Sequence, residues 1–180
     1  MSYEARQGYL SAVQTMAPGT GISGATGEVV KWSVQKDPVS GVYYTRGLID
    51  ITGLASVATD ADIIGVGTAN PAYLGRITAA TNGTIFAGRM SLLETPATGE
   101  VDIDLYSAAE ATGKGSDLVT DFDGEVKVFD AAGDWGTVTQ VRMGTPPTAN
   151  HYLYLTVGTA STPTAGTYTA GIFLIEFWGQ

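Results

Sequence analysis

From Glu28 onward, apolar and polar residues alternate along much of the chain. Val30, Trp32 and Val34 alternate with Lys31, Ser33 and Gln35, the pattern of a strand with one buried face. Tyr43 to Thr52 repeats it. Ile49 and Ile51 face one way, Arg46, Asp50 and Thr52 the other, and Leu48 breaks the polar side. Between the two lies Asp37-Pro38-Val39-Ser40-Gly41. Proline presets φ and glycine accepts positive φ, so this is a turn and the strands form a hairpin. Tyr73, Gly75, Ile77 and Ala79 share a face, and Asn82-Gly83 supplies a primed two-residue turn. The spacing therefore predicts a second hairpin, 72–80 against 84–94. Val101, Ile103 and Leu105 alternate with Glu100, Asp102 and Asp104, which puts the carboxylates on a solvated face. Leu153, Leu155 and Val157 alternate with Tyr152, Tyr154 and Thr156. Ile172-Phe173-Leu174-Ile175 is apolar on both faces and asks for cover on both sides. The strands 151–157 and 168–178 are expected to pair as a long hairpin.

Shorter strands are expected at 62–66, 126–129 and 137–141, and one helical turn at 108–111 ended by Gly113 and Gly115. About eight to ten strands separated by Gly and Pro turns predict an all-β fold, an antiparallel β-sandwich of jelly-roll type. The start differs. Ala5 to Met16 has helical spacing, with Tyr9, Val13 and Met16 on one side, and is followed by runs rich in Gly, Ser, Thr and Pro. The chain divides into an irregular or helical N-terminal arm, 1–27, and a β-sandwich domain, 28–180. The arm is either loosely packed or ordered against a partner.

Composition narrows the function. Charged residues are 15% of the chain, Gly numbers 24, and the net charge is -9. Such a balance suits strands and tight turns and disfavours binding to nucleic acid. With no cysteine, disulfides and thiolate metal sites are excluded. No apolar run has the length of a membrane span, and the first residues lack the pattern of a secretion signal.

Candidate chemistry is sparse. His151 is the sole histidine, and neither a nucleophile elbow nor a phosphate-binding loop accompanies it. Asp117, Asp121, Asp123 and Glu125 surround Gly124. These are hard oxygen ligands of the kind Ca²⁺ takes, but they lack the twelve-residue loop of a calcium hand; a solvated acidic turn is the simpler reading. Asp102 and Asp104 have a spacing a glycosidase could use, but both point from one polar strand face. No catalytic residue, metal or cofactor is expected. The aromatic residues point instead to an interface, because exposed Tyr and Trp beside Thr and Ser are characteristic of contact surfaces. The candidate interface residues are Tyr9, Met16, Tyr43, Tyr44, Tyr152, Tyr154, Phe177 and Trp178, and Trp178 requires cover from a loop or from another subunit.

Several phrases carry a resemblance: Lys36-Asp37-Pro38-Val39-Ser40-Gly41-Val42-Tyr43-Tyr44, then Ile49-Asp50-Ile51-Thr52-Gly53-Leu54, then Gly75-Arg76-Ile77-Thr78 with Gly83-Thr84-Ile85-Phe86-Ala87-Gly88, and the ending Thr169 to Gly179. Over residues 28–178 the chain resembles small β-rich virion proteins of tailed bacteriophages, particularly those of marine and cyanobacterial phages. The resemblance implies a non-enzymatic capsid decoration or cement protein in the virion. It also implies a homo-oligomer, with a trimer favoured, bound to the major capsid protein. A carbohydrate-binding or adhesin-like tail or fibre domain is the alternative.

Overall fold

The computed structural model describes residues 16–22 and 29–180. The chain is an antiparallel all-β sandwich. Its strands are β1 (Val30–Lys36), β2 (Tyr43–Asp50), β3 (Ala55–Ser56), β4 (Gly75–Arg76), β5 (Ile85–Ala97), β6 (Ile103–Ala108), β7 (Val126–Phe129), β8 (Gln140–Arg142), β9 (Tyr152–Val157), β10 (Gly166–Thr167) and β11 (Ala170–Gly179). One sheet has the order β1-β2-β11-β5-β8 and the other β4-β9-β6-β7, while β3 and β10 form a small ribbon. The first hairpin forms as expected, with Val34 opposite Thr45 and Trp32 opposite Gly47.

The core lies between the two large sheets. Phe173, Ile175 and Phe177 of β11 point inward and are fully buried. Phe177 stacks on Phe129 of β7 at 5.6 Å between ring centroids, and Phe173 meets Trp135 edge-on at 5.1 Å. Leu105, Phe129 and Leu155, aligned across β7, β6 and β9, form part of the facing layer.

Two expected hairpins do not form. The stretch 72–80 contributes only the short β4, which pairs with β9, while β5 pairs with β11. Asn82-Gly83 ends a short helix, α1 (Ala79–Asn82), instead of turning a hairpin. Thr78 caps its start by accepting from the Thr81 N–H, and Asn82 Oδ1 accepts from the Thr78 N–H. The buried Asn82 amide also donates to Thr45 Oγ1 at 3.0 Å. An Asn-Gly pair suits either ending, since both need a residue at positive φ, and Gly83 has φ 69°. Side-chain hydrogen bonds decided between them. The pairing of 151–157 with 168–178 is overturned as well: β9 lies between β4 and β6, and β11 lies in the other sheet between β2 and β5. Residues 108–111 form no helix, and 62–66 makes isolated bridges only.

Met16–Ile22 runs along the core as a strap. Gly19 and Gly21 donate to the carbonyls of Tyr73 and Pro71, at 2.8 and 2.7 Å, and Met16 and Ile22 are buried. Tyr9 and the rest of the helix expected over Ala5–Met16 lie outside the described residues.

Truncating Phe177 to Ala removes the ring that joins the two sheets. It is expected to cost about 3–5 kcal/mol of unfolding free energy, measured by denaturant titration. A loss below 1 kcal/mol would mean that the inter-sheet stack does not organise the core.

Candidate docking face

Among the described residues, no loop covers one broad face: the outer side of the five-stranded sheet. Strand register places its side chains in rows. In the central row Ser33, Arg46, Glu176, Arg89 and Arg142 lie side by side across five strands. The row below holds Lys31, Leu48, Leu174, Ser91 and Gln140, and the row above holds Gln35, Tyr44, Trp178 and Ala87.

Glu176 anchors the face. It is 1% exposed, and a carboxylate so placed needs compensating partners. Arg89 donates from Nε to one oxygen, Tyr44 donates its hydroxyl to the other, and Arg46 Nε lies 3.6 Å from that second oxygen. Burial alone would raise the Glu176 pKa. Hydrogen bonds from Arg89 and Tyr44, with the charges of Arg89 and Arg46, outweigh it and hold the group below its ordinary value. Burial, and then Glu176 itself, pushes the Tyr44 phenol upward, so it stays a donor. The Tyr44 and Trp178 rings lie 5.4 Å apart, and Arg89 sits 5.8 Å from the Trp178 ring. Cover for Trp178 thus comes from the neighbouring strands, not from a loop, and the ring stays half-exposed.

Beside this cluster lies a shallow depression of about 240 Å³ lined by Lys31, Ser33, Arg46, Leu48, Leu93 and Leu174. Leu93 reaches it because β5 is bulged: Ile172 is opposite Glu94 while Phe173 is opposite Leu92, so Leu93 is the extra residue. It is 57% exposed. A second bulge, between Trp178 and Gly179, leaves Phe86 unpaired and 55% exposed. Arg142 stands directly opposite Arg89, and no carboxylate of the described residues pairs with it. Like charges facing across a strand pair are unfavourable.

The candidate interface residues separate accordingly. Tyr44 and Trp178 meet on this face. Met16, Tyr154 and Phe177 are buried within the chain's own core and cannot contact a partner without unfolding. Their apolar or aromatic character suited either use: inward-facing register buries Phe177, the roofing loop with Phe122 covers Tyr154, and Met16 is buried in the N-terminal strap. Tyr43 is packed against the core, with Lys36 4.6 Å from its ring. Tyr152 lies in the other sheet with Tyr73 at 4.9 Å and Arg76 at 5.4 Å. Arg46, Arg89, Arg142, Glu176 and Leu93 were not singled out in the sequence. Alternation did place Arg46 outward and flagged Leu48, but the β5 bulge has no local signal.

The residues weighed for chemistry are structural. Glu100, Asp102 and Asp104 are buried, not solvated, because loops roof the far side of β6 and β9. Ile103 and Leu105 do face the core as expected. The carboxylates fasten the roof instead: Glu100 accepts from Thr164 N–H and Ser161 Oγ, Asp102 from Ala160 N–H, and Asp104 from Ala131 N–H. Lys127 Nζ pairs with Asp104 at 2.8 Å. Gly158 lies so close to Asp102 that a Cβ there would come within 2.2 Å of the carboxylate. Asp102 Oδ1 has no hydrogen-bond partner, and burial, with Glu100 beside it, raises the Asp102 pKa. His151 is buried against Gly124, and no hydrogen bond joins its ring to a described side chain. In the acidic turn, Asp117 accepts from the Lys114 N–H. No group of three or more His, Cys, Asp or Glu among the described residues is placed to hold a metal.

Comparison with protein-family models, curated proteins and solved structures finds no match.

Two carboxylates give opposite pH signatures. The Glu176 pKa is lowered by folding, so its stabilisation is present above the ordinary carboxylate pKa and lost as pH falls through the lowered value. Glu176→Gln is expected to cost about 2 kcal/mol at neutral pH and to lose this acid-side dependence in denaturant titrations across pH. The Asp102 pKa is raised, so stability falls as pH rises from the unfolded-state pKa, about 4, through the raised value. Asp102→Asn should reduce that decline, to which Asp62 and Asp104, also raised by burial, contribute; an unchanged profile would mean that Asp102 is not a buried titrating group.

Proposed function

We propose that this protein is a non-enzymatic assembly protein of a virion, a capsid decoration or cement protein. On this reading it attaches to the shell of major capsid protein through the outer face of the five-stranded sheet. The observation that carries the reading is the row Arg46–Glu176–Arg89–Arg142 lying beside exposed Leu48, Leu93 and half-buried Leu174. Such a face is broad and nearly flat. Its guanidinium groups are spent only in part on Glu176, and its apolar side chains are held outward by a rigid sheet. That combination suits recognition of another macromolecular surface, where a few Arg and aromatic anchors dominate and a polar rim surrounds them. The resemblance to small phage virion proteins supports the same reading.

A second reading, a carbohydrate-binding domain, is favoured by one feature: Tyr44 and Trp178 form an aromatic pair beside Glu176 and two arginines. An aromatic platform next to planar hydrogen-bonding groups is what a sugar ring requires.

Co-sedimentation with purified capsid shells of tailed phages separates the two. Wild type is expected to pellet with shells, and Leu93→Glu or Trp178→Ala is expected to weaken binding by about tenfold or more. Shell binding untouched by both changes would overturn the assignment of this face. Failure to bind shells, together with Trp178-dependent binding to a glycan array, would favour the carbohydrate reading.

A further inference from the structure

The charge of this chain is distributed unevenly between its two broad sides. The outer face of the five-stranded sheet holds Lys31, Arg46, Arg89 and Arg142, four of the nine basic residues. Among the described acidic residues, Asp50, Glu94 and the already paired Glu176 stand against them on this face. The remainder of the chain is therefore strongly acidic.

Part of that acidity forms a second surface on the opposite side. The layers run in order: the exposed sheet face, the five-stranded sheet, the core, the four-stranded sheet, and the loops that roof it. The acidic turn belongs to this roof. Its 3₁₀ turn, Val119–Asp121, is held by buried Val119, whose N–H donates to Ala61 O at 3.1 Å. Phe122 packs on Tyr154 of β9 at 5.9 Å. Outward from this anchor project Asp121, Asp123 and Glu125, all exposed, with Leu118 36% exposed nearby. One side of the molecule is therefore basic with exposed leucines, and the other is acidic with an exposed leucine. Both are rigidly mounted.

We infer that copies of this chain associate head to tail, the basic and apolar outer face of one five-stranded sheet seating on the acidic loop layer of the next. This rests on the reading of the sheet face as a docking surface: the copy at the open end of a stack seats that face on the shell, and each further copy seats its own on the copy before it. Charge complementarity selects a second copy as the occupant. Pairing two sheet faces with each other would set Arg89, Arg142 and Lys31 of one copy against the same cations of the other, an arrangement that like-charge repulsion opposes. Seating the face on the acidic turn instead supplies Arg142 with the carboxylate it lacks among the described residues. It also covers Leu48 and Leu93 with the apolar side chain of the turn. Because the two patches differ, the contact is heterologous. It propagates as a stack, or closes as a ring if successive copies rotate far enough.

The test uses two charge-swapped chains. Arg142→Glu disables the basic side, and it places Glu opposite Arg89, a pairing the sheet tolerates. Asp121→Lys with Glu125→Lys disables the acidic side, at exposed positions that carry no described side-chain hydrogen bond. Sedimentation of the wild-type chain at low salt is expected to show concentration-dependent association that weakens towards about 1 M salt. Each swapped chain alone is expected to self-associate about tenfold or more weakly. Mixed in equal amounts, the two are expected to regain association, beginning with a heterodimer through the one intact basic side and the one intact acidic side. The inference is overturned if the wild type stays monomeric, if neither swap weakens association, or if the mixture does not regain a dimer. A monomeric wild type that still needs Leu93 to bind shells would sink the head-to-tail contact and leave the docking face in place.

Discussion

A carboxylate in the middle of a sheet face, shielded from water, cannot remain ionised there without partners. Glu176 therefore depends on the strands to either side, and it holds them in place in turn. With Arg46 on β2 and Arg89 on β5 at its two edges, it constrains the register of three strands at once. A slip of one residue along β11 would turn Phe173, Ile175 and Phe177 out to solvent and drive Glu176 into the core. The apolar inner face and the charged outer face thus enforce the same alignment. Everything else on the outer face, from the Tyr44–Trp178 pair to the bulge that exposes Leu93, is positioned by that alignment.

The two sheets solve the problem of their second faces differently. On β6 and β9 the second face is polar in part, with Asp104, Thr156 and Tyr154, yet it is entirely roofed. Its carboxylates accept hydrogen bonds from loop backbone N–H groups, and Lys127 neutralises Asp104. A roofing loop would otherwise carry unsatisfied donors, so buried acceptors and loop donors complete one another. Asp102 and Thr156 are among the places where this falls short, each with one buried oxygen unmatched. No described loop roofs the five-stranded sheet, and Glu176 in its charged row is satisfied laterally, within the sheet.

This asymmetry has an electrostatic consequence. Loops rich in Asp and Glu gather over one sheet while arginines gather over the other, so the molecule is polar across its thickness. One side attracts what the other side repels. The same distribution lets a chain of net charge -9 present a basic surface.

Alternation of period two was legible in the sequence and correctly identified the all-β class, the β1–β2 hairpin and the inward residues of β6. It rests on local geometry, since successive side chains must leave a strand on opposite sides. Partner choice was not legible in the same way. β9 and β11 are neighbours in sequence and have similar patterns, yet they lie in different sheets, because contacts with Leu105 and with Arg46 and Arg89 select their partners. Nor could alternation tell a solvated polar face from a roofed one: Asp102 and Asp104 look alike in either setting until the loops close over them. The double-sided apolar run of β11 suggested cover on both faces. In the fold one side is core, while the other is a half-exposed surface with Glu176 at its centre. Its character as a candidate docking face arises only when Arg46, Arg89, Arg142 and the bulged Leu93, distant in sequence, are brought side by side.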